Sequence, residues 1–345
     1  MTSKQSHRKD EHVSLAEKFY QQPDDQGFKQ VRLIHESLPE LALTDINTQV
    51  KLGTFQLPFP VMIEAMTGGS ERTGRLNDLL SQLAKAVNLP MAVGSQSVAI
   101  REPELAATFS VARLNDPVGI LFANMGANHS LKAAKTAIDM IQANALQLHI
   151  NAAQETVMPE GDQDFRWLKN IQQLVADLNV PVIVKEVGFG MTAETVQQLM
   201  SVGVQAVDIS GRGGTDFAKI ENFRRGDKDM AYLADWGLTT VESLLEMRRL
   251  KTKPVIIASG GIKTPLDAIK ALVLGADCVA MAGEVLHHLI QTDLDATIVW
   301  FQEWLQQFKQ LMLLVGAKNV GALTQVPVVF DQPLVDYMQQ RGIEI

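Results

Sequence analysis

The stretch Ala206-Val-Asp-Ile-Ser-Gly-Arg-Gly-Gly-Thr-Asp216 places a cluster of glycines directly after an apolar run of strand length. A second cluster, Ser259-Gly-Gly-Ile262, follows another such run. Glycine lets the backbone approach a ligand closely, and free N–H groups at such turns bind anions. Two such clusters on neighbouring elements therefore indicate a phosphate-bearing cofactor that is bound mainly by the main chain.

The alternation of apolar runs with longer amphipathic stretches extends from about residue 61 to residue 283. The pattern predicts strands at 61–66, 90–93, 119–124, 145–151, 182–187, 206–210, 254–259 and 278–282. Helical patterns lie between them, for example at 74–87, 130–142, 165–178, 193–202, 239–250 and 265–274. Apolar strands separated by helices predict a parallel sheet covered on both faces, and eight units predict an α/β fold of the (β/α)8 TIM-barrel type. An open doubly wound sheet is the alternative, because periodicity does not show closure.

The flanks of this region have a different pattern. We expect an N-terminal extension at 1–60, the barrel at 61–315, and a C-terminal tail at 316–345 that packs on the barrel or on a neighbouring subunit. The segment 284–314 predicts one long helix, and its aromatic residues at helical spacing are expected in the core or in a subunit interface. These aromatic residues are Trp300, Phe301, Trp304 and Phe308.

Composition excludes several classes of protein. The chain has 345 residues, 46% of them hydrophobic, and a formal net charge of −8, which argues against a nucleic-acid partner. Cys278 is the only cysteine, so an internal disulfide is impossible and a cytoplasmic location is the expectation. No apolar run approaches the roughly 20 residues that cross a bilayer, so no membrane partner is expected.

Small or polar residues follow almost every predicted strand. Because the carboxyl ends of barrel strands form the active-site mouth, these residues should lie close together. The loops after the seventh and eighth strands, where barrels often bind phosphate, carry Gly260-Gly261 and Ala282-Gly283. Their N–H groups, the N-terminus of the helix after Lys263, and the hydroxyls of Ser210 and Thr215 suit a terminal monophosphate. The alternative is that these glycines only form turns.

Lys185 lies inside the otherwise apolar run Val182-Ile-Val-Lys-Glu-Val187. A lysine in such a strand requires a partner or a shifted pKa. One interpretation pairs Lys185 with Glu186 or a neighbouring carboxylate. The other places it beside a flavin, whose reduced ring carries negative charge that a cation stabilises.

Seven motifs together resemble one family. In chain order they are Arg8-Lys-Asp-Glu-His12, Ala65-Met-Thr-Gly-Gly69, Gly94-Ser-Gln96, Asn124-Met-Gly126, His149-Ile-Asn-Ala-Ala-Gln-Glu155, Lys185-Glu-Val-Gly-Phe-Gly190 and Asp208-Ile-Ser-Gly-Arg-Gly-Gly-Thr215. They resemble the type 2 isopentenyl-diphosphate isomerases, which are FMN-dependent (β/α)8 barrels, and the resemblance spans Arg8 to about Gly283.

The resemblance implies roles for individual residues. It implies that Arg8 and Lys9 bind the substrate diphosphate, with Ser95 nearby, and that Glu155 binds Mg²⁺. It places three residues around the reacting end of the substrate: His149, Asn151 and Gln154. It implies FMN contacts from Ala65, Met66, Thr67, Ser95, Asn124, Lys185, Ser210, Thr215, Gly260, Gly261, Ala282 and Gly283.

Some of these roles have alternatives. An amide is not an ordinary general base, so Gln154 is expected to orient other groups. His149 could titrate near neutrality or serve only as a hydrogen-bonding partner. The chain also departs from the family, because many members have arginine after Ser-Gln, where this chain has Ser97 and then Arg101 four positions on. The resemblance leaves open whether Arg101 takes over that diphosphate contact.

The resemblance therefore implies an enzyme that interconverts isopentenyl diphosphate and dimethylallyl diphosphate by proton transfer. It implies reduced FMN, Mg²⁺, NADPH as reductant, and a homotetramer or larger homo-oligomer. The alternatives are an FMN-dependent 2-hydroxy acid oxidoreductase and a non-catalytic flavin-binding barrel. The oxidoreductase is disfavoured because no histidine lies between His149 and His287, where such an enzyme needs its base.

Overall fold

Eight parallel strands form a closed barrel in the structure, a computed structural model that describes residues 4–20 and 27–344. The strands in chain order are β1 (Val31–Leu33), β2 (Val50–Leu52), β3 (Phe55–Leu57), β4 (Val61–Ile63), β5 (Met91–Ala92), β6 (Leu121–Gly126), β7 (Ala145–His149), β8 (Val182–Lys185), β9 (Ala206–Asp208), β10 (Val255–Ser259), β11 (Cys278–Met281) and β12 (Val328–Phe330). Strands β4 to β11 form the barrel, and β11 closes onto β4 with Val279 opposite Val61. The predicted (β/α)8 barrel is confirmed, and the open sheet is wrong.

Helices cover the outside of the barrel. In chain order they are α1 (Lys4–Phe19), α2 (Glu71–Val87), α3 (Ser97–Arg101), α4 (Ala107–Asn115), α5 (Leu131–Ile141), α6 (Ala152–Val157), α7 (Leu168–Asp177), α8 (Ala193–Ser201), α9 (Phe217–Arg224), α10 (Thr240–Glu246), α11 (Pro265–Val273), α12 (Gly283–Gln291), α13 (Leu294–Leu314) and α14 (Gln332–Arg341). Several begin at a Ser, Thr or Asp whose side chain accepts a hydrogen bond from the first turn, as Ser130 does for α5 and Thr192 for α8. No helix of the described residues is both long enough and apolar enough to cross a membrane.

The segment 284–314 is two helices, so the prediction of one long helix is wrong. α12 ends at Gln291, and Thr292 has φ −122° and ψ −126°, which is not helical. Asp293 then begins α13, because its carboxylate accepts a hydrogen bond from the N–H of Ala296. The aromatic stripe predicted on this segment lies largely in the core, where Phe301 and Phe308 are fully buried.

The two ends of the chain meet on the outside of the barrel. β1 pairs antiparallel with β12, so part of the N-terminal extension and part of the C-terminal tail share a small sheet. α14 is anchored by Arg341 and Tyr337, which donate hydrogen bonds to the buried carboxylate of Glu246. Residues 1–3 and 21–26 of the extension lie outside the described residues.

The barrel positions its functional residues by burying the strands and leaving their carboxyl ends free. All six residues of β6 and all four of β8 are buried. α1 packs against α2 and α9. This contact brings the Arg8–His12 motif of the extension over the open end of the barrel.

Candidate functional site

Two adjoining cavities lie at the carboxyl ends of the strands. The first has a volume of about 330 Å³ and is lined largely by the glycine clusters that follow β9, β10 and β11. The second, of about 940 Å³, lies beneath α1 and is lined by side chains that follow β5, β6 and β7. Residues common to both walls, among them Met66, Lys185 and Phe217, show that the two cavities form one continuous site.

The first cavity has a wall that only glycine can form. A Cβ on Gly260 would lie 1.9 Å from the carbonyl oxygen of Gly211, and Gly260 has a φ of +93°. Gly261 has a φ of +77°, and a Cβ there would lie 2.9 Å from the backbone of Gly213. Within the described chain, neither Gly260 nor Gly261 has a backbone hydrogen-bond acceptor for its N–H. These N–H groups, with the hydroxyl of Thr215, fit a monophosphate group.

The helix end at this cavity differs from the one that we expected. The N-terminus of α11 is already capped, because the Asp267 carboxylate accepts hydrogen bonds from the N–H groups of Lys263 and Thr264. The negative charge of Asp267 also opposes a phosphate there. α12 has no side-chain cap at its N-terminus, where Ala282 and Gly283 line the cavity. The open helix end at this cavity is therefore that of α12 and not that of α11.

Lys185 lies between the two cavities in a buried charged cluster. Its Nζ donates to Asp208 Oδ2 at 2.8 Å and to Ser259 Oγ at 3.2 Å. Burial acts to lower the pKa of Lys185, but the nearby carboxylates of Asp208 and Glu64 outweigh it and raise that pKa. Lys185 therefore remains a cation, and its carboxylate partner is Asp208. Glu186 instead accepts hydrogen bonds from the N–H groups that follow it.

Glu64 completes this cluster. Its Oε1 accepts a hydrogen bond from the N–H of Ala65 at 2.7 Å, whereas its buried Oε2 has no hydrogen-bond partner among residues 4–20 and 27–344. Burial raises the pKa of Glu64 to about 7, with Lys185 opposing and Asp208 reinforcing the shift. A fixed cation, hydroxyl donors, free N–H groups and an unpartnered buried oxygen on one cavity wall fit the phosphate and polar ring edge of FMN.

The second cavity has basic side chains supplied by α1. Arg8 Nη1 donates to Glu160 Oε1 at 3.3 Å, and Lys9 Nζ donates to the carbonyl oxygen of Ser95 at 3.0 Å. Burial, followed by the charge of Arg8, lowers the pKa of Lys9 to about 7. The side chain is half-buried and lines the cavity. An incoming anion would restore the charge of Lys9.

The imidazole of His149 is positioned by two side-chain amides, those of Asn124 and Gln147. Its Nδ1 lies 3.0 Å from Asn124 Oδ1, and Asn124 Nδ2 donates to Gln147 Oε1 at 3.0 Å. Because an amide oxygen only accepts, the proton of the neutral imidazole lies on Nδ1, leaving Nε2 as an acceptor. Burial, followed by the charge of Lys9, lowers the pKa of His149 to about 3. His149 is therefore neutral near pH 7.

Gln154 and Glu155 lie in the first turn of the short helix α6, which follows β7. Gln154 Nε2 donates to Glu221 Oε1 at 3.0 Å, and Gln154 Oε1 accepts from Asn151 Nδ2 at 3.2 Å. The carboxylate oxygens of Glu155 accept from Asn151 Nδ2 at 3.0 Å and from the N–H of Asp162 at 2.8 Å. Glu155 therefore has lone pairs left to face the cavity.

No group of three or more His, Cys, Asp or Glu that could hold a metal ion is found in the part of the chain that the structure describes. A complete protein cage for a metal is therefore not seen there. A single carboxylate beside a basic cavity fits Mg²⁺, which takes its remaining ligands from phosphate oxygens and water.

Sequence reasoning missed the buried carboxylate of Glu221. This side chain accepts hydrogen bonds from His12 at 2.8 Å, from Gln154, and from Arg224 at 2.6 Å. Burial opposes ionisation, but these donors outweigh it and lower the pKa of Glu221 to about 2. The available signal was a glutamate among the apolar residues after Thr215, on the buried face of what the structure shows to be α9, since such a carboxylate requires partners.

Most of the predicted site residues line the two cavities. The first cavity is lined by Ala65, Met66, Lys185, Ser210, Thr215, Gly260, Gly261, Ala282 and Gly283. The second is lined by Arg8, Lys9, Ser95, Asn124, His149, Asn151, Gln154 and Glu155. Thr67 lines neither cavity, and its hydroxyl donates to Asn77 Oδ1 at 2.5 Å.

The fold is shared with known flavoenzymes. Residues 100–329 match the family model of the FMN-dependent dehydrogenases. A single-site variant of mandelate oxidase with 2-hydroxy-phenylacetamide superposes with a TM-score of 0.64, covering 93% of this chain and 90% of that chain at 16% identity. A mandelate oxidase mutant with a monooxide FMN adduct gives a TM-score of 0.63 at 15% identity, covering 93% of this chain and 92% of that chain. At these identities the likeness shows the fold alone.

Curated relatives match over almost the whole chain. An isopentenyl-diphosphate delta-isomerase of Lacticaseibacillus paracasei is 52% identical over 99% of this chain and 98% of its own length. Proteins of the same name from Limosilactobacillus reuteri and Staphylococcus haemolyticus are 49% and 42% identical, each with at least 97% of both chains covered. The chain therefore belongs to the isopentenyl-diphosphate delta-isomerase family, built on the barrel of the FMN-dependent dehydrogenases.

Proposed function

We propose that this protein interconverts isopentenyl diphosphate and dimethylallyl diphosphate, using reduced FMN and Mg²⁺. The observation that carries the proposal is the adjacency of two different cavities. One has free N–H groups, hydroxyls and the Lys185 cation, and the other has Arg8, Lys9 and Glu155. The pairing suits a flavin beside a diphosphate substrate, in keeping with the family to which the chain belongs.

The second cavity supplies the groups that a diphosphate requires. Arg8 offers a planar guanidinium, and Lys9 offers an ammonium that regains its proton when an anion binds. Glu155 would hold Mg²⁺, with the diphosphate and water completing its coordination. Anchoring the charged end in this way fixes the position of the hydrocarbon end, which lowers the entropic cost of reaction.

The first cavity would hold FMN through Thr215, the glycine N–H groups and the N-terminus of α12. When bound in its reduced form, FMN supplies the group that gives a proton to the substrate and removes one from it. Lys185 keeps its positive charge through Asp208, so it can stabilise negative charge on a bound ring. Met66, Val187 and Phe217 line both cavities and would exclude water from the reacting carbons.

The protein groups around the second cavity orient the substrate in this proposal. His149 is neutral near pH 7, so it acts through the Nε2 acceptor that Asn124 leaves free. Gln154 has both ends of its amide engaged, which fixes its direction without making it a base. The amide of Gln154 is not a base, and the low pKa of His149 makes its imidazole a weak one, so both residues orient the substrate in this proposal.

Three features of the working protein belong to the same proposal. NADPH would reduce the bound FMN once and would not be consumed with each turnover. The protein would work in the cytoplasm, which fits its single buried thiol at Cys278. It would act as a homotetramer or larger assembly, measurable by sedimentation.

The test is an anaerobic assay of purified protein with isopentenyl diphosphate, FMN, Mg²⁺ and a reductant. We expect dimethylallyl diphosphate to form only when the flavin is reduced, with no net oxidation of the reductant after the first turnover. Equal activity with oxidised FMN alone would overturn the proposed mechanism. Consumption of one reductant per product would favour an oxidoreductase.

A further inference from the structure

The carboxyl group of Glu64 lies on the wall of the first cavity with one of its two oxygens unpartnered. Glu64 directly follows β4, is 2% exposed, and lines the cavity that fits FMN. Its Oε1 accepts a hydrogen bond from the N–H of Ala65, whereas its Oε2 has no hydrogen-bond donor within the described part of the chain. A buried oxygen without a donor is costly, so its place on a cavity wall points to a role toward whatever the cavity binds.

Asp208, the other carboxyl group of this cluster, is fully engaged. Its Oδ2 accepts from Lys185 Nζ at 2.8 Å. Its Oδ1 accepts from Ser259 Oγ at 2.7 Å and from the N–H of Ser210 at 3.1 Å. Three donors, one of them a cation, favour the charged form of Asp208. Of the two carboxyl groups, Glu64 is therefore the one that gains or loses a proton.

The net charge of the cluster depends on the proton of Glu64. Lys185 of β8 and Asp208 of β9 cancel each other, and the thiol of Cys278 on β11 is uncharged because burial raises its pKa. The cluster is therefore neutral when Glu64 is protonated and negative when Glu64 is ionised. Burial, opposed by Lys185 and reinforced by Asp208, raises the pKa of Glu64 to about 7. A further charge in the cavity will shift the proton occupancy of Glu64 near neutral pH.

We propose that Glu64 takes up one proton from solvent when the FMN in the first cavity is reduced by two electrons from NADPH or dithionite. Reduction with one proton leaves a negative charge on the ring. With Glu64 ionised, this charge and Asp208 would place three negative charges beside the single cation of Lys185. The second proton converts the Glu64 carboxylate into a neutral carboxyl group and removes one of them. This inference rests on the proposed function only for FMN as the occupant of the cavity.

The experiment is an anaerobic redox titration of the FMN-loaded protein from pH 6 to pH 9, in wild type and in Glu64→Gln. Glutamine has nearly the same shape and does not titrate, so it imitates the protonated carboxyl group at every pH. Because protons taken up by the flavin itself are common to both proteins, the difference between the two slopes reports Glu64. Near pH 6 the two midpoint potentials should change in parallel with pH. Above pH 7 the wild-type potential should fall more steeply by about 30 mV per pH unit, the value for one additional proton with two electrons.

Parallel lines over the whole pH range would overturn the proposal, because Glu64 would then share its proton with Asp208 whatever the state of the flavin. Glu71→Gln is the control and should keep the wild-type slope, since Glu71 is an exposed glutamate on α2 that pairs with Arg75.

A second measurement needs no variant and so does not depend on the folding of Glu64→Gln. The infrared difference spectrum of wild type between oxidised and reduced protein at pH 8 should gain the band of a protonated carboxyl group. Absence of this band would also overturn the proposal. If the additional proton is found but the protein does not isomerise isopentenyl diphosphate, the proposed function fails and the role of Glu64 stands.

Discussion

Because of Lys9, kcat/KM for the diphosphate substrate should fall as the pH rises through 7. The substitution Lys9→Met should remove this dependence. Burial and the charge of Arg8 hold the pKa of Lys9 at about 7 in the free protein. The ammonium lies in the second cavity and is bonded to the carbonyl of Ser95. If Lys9 binds the diphosphate, only its charged form is competent to do so at full strength. Raising the pH through 7 should therefore weaken substrate capture.

The size of the effect follows from the charged fraction and from the strength of the contact. With a pKa near 7, about nine-tenths of the Lys9 side chains are charged at pH 6 and about one-hundredth at pH 9. A hydrogen bond between charged groups contributes about 1.5–3 kcal/mol, which corresponds to about 10- to 100-fold in affinity. Between pH 6 and pH 9 the affinity for the diphosphate should therefore fall by no more than this factor of about 10 to 100, because the protein with neutral Lys9 still binds the substrate weakly.

The assay is the pH profile of kcat/KM for isopentenyl diphosphate, which reports ionisations of the free enzyme and the free substrate. Wild type and Lys9→Met are compared from pH 6 to pH 9 with saturating reduced FMN and Mg²⁺. Because the substrate and the flavin also titrate, the informative quantity is the ratio of the two profiles at each pH. This ratio should be about 10 to 100 at pH 6 and should approach 1 at pH 9.

A ratio that stays constant across this range would refute the reasoning. Loss of a purely structural lysine would lower kcat/KM by the same factor at every pH. FMN affinity is the control for folding, since Lys9 lines only the second cavity. If Lys9→Met also lost FMN, the loss of activity would say nothing about the diphosphate contact.

Three other variants test the remaining walls of the site. Glu155→Gln should raise the Mg²⁺ concentration needed for half-maximal activity about tenfold or more, because the amide is uncharged; an unchanged metal requirement would remove Glu155 from this role. Gly260→Ala should abolish FMN binding and lower the Tm, because the new Cβ would lie 1.9 Å from the carbonyl oxygen of Gly211. Gly226→Ala is the control and should leave FMN binding and the Tm unchanged, because a Cβ at Gly226 has nothing within 4 Å. Lys185→Met should lower the free energy of unfolding in urea by about 3 kcal/mol, because the buried carboxylate of Asp208 would lose its cation. A free energy of unfolding within about 0.5 kcal/mol of wild type would contradict the buried ion pair.

The barrel was largely predictable because strand and helix patterns are local. All eight predicted strands are present, although the predicted ends run too far at places such as 64–66 and 150–151. At those places the strands end and the chain turns toward the two cavities, a change of direction that the local sequence pattern does not mark. The break at Thr292 and Asp293 was missed because the apolar pattern continues across it, and only the Asp293 cap marks the new helix.

The candidate site was less predictable, because its charges come from distant parts of the chain. The motif containing Lys185 suggested a buried cation, but its sequence neighbour Glu186 bonds to backbone N–H groups instead. The true partner, Asp208, lies 23 residues further along the chain. Glu221 is hydrogen-bonded to His12, which is 209 residues away in sequence, and no local sequence pattern predicts that contact.

The amino-acid sequence by itself determined the order of strands and helices, the positions of the glycine clusters and the side chains at the strand ends. These properties depend on neighbours within a few residues, so periodicity and backbone preference express them directly. The tertiary structure decided which carboxylate balances Lys185, that Lys9 has a pKa of about 7, and that Arg101 lines the second cavity. Those outcomes depend on burial and on charges brought together by barrel closure, and both exist only once the chain has folded.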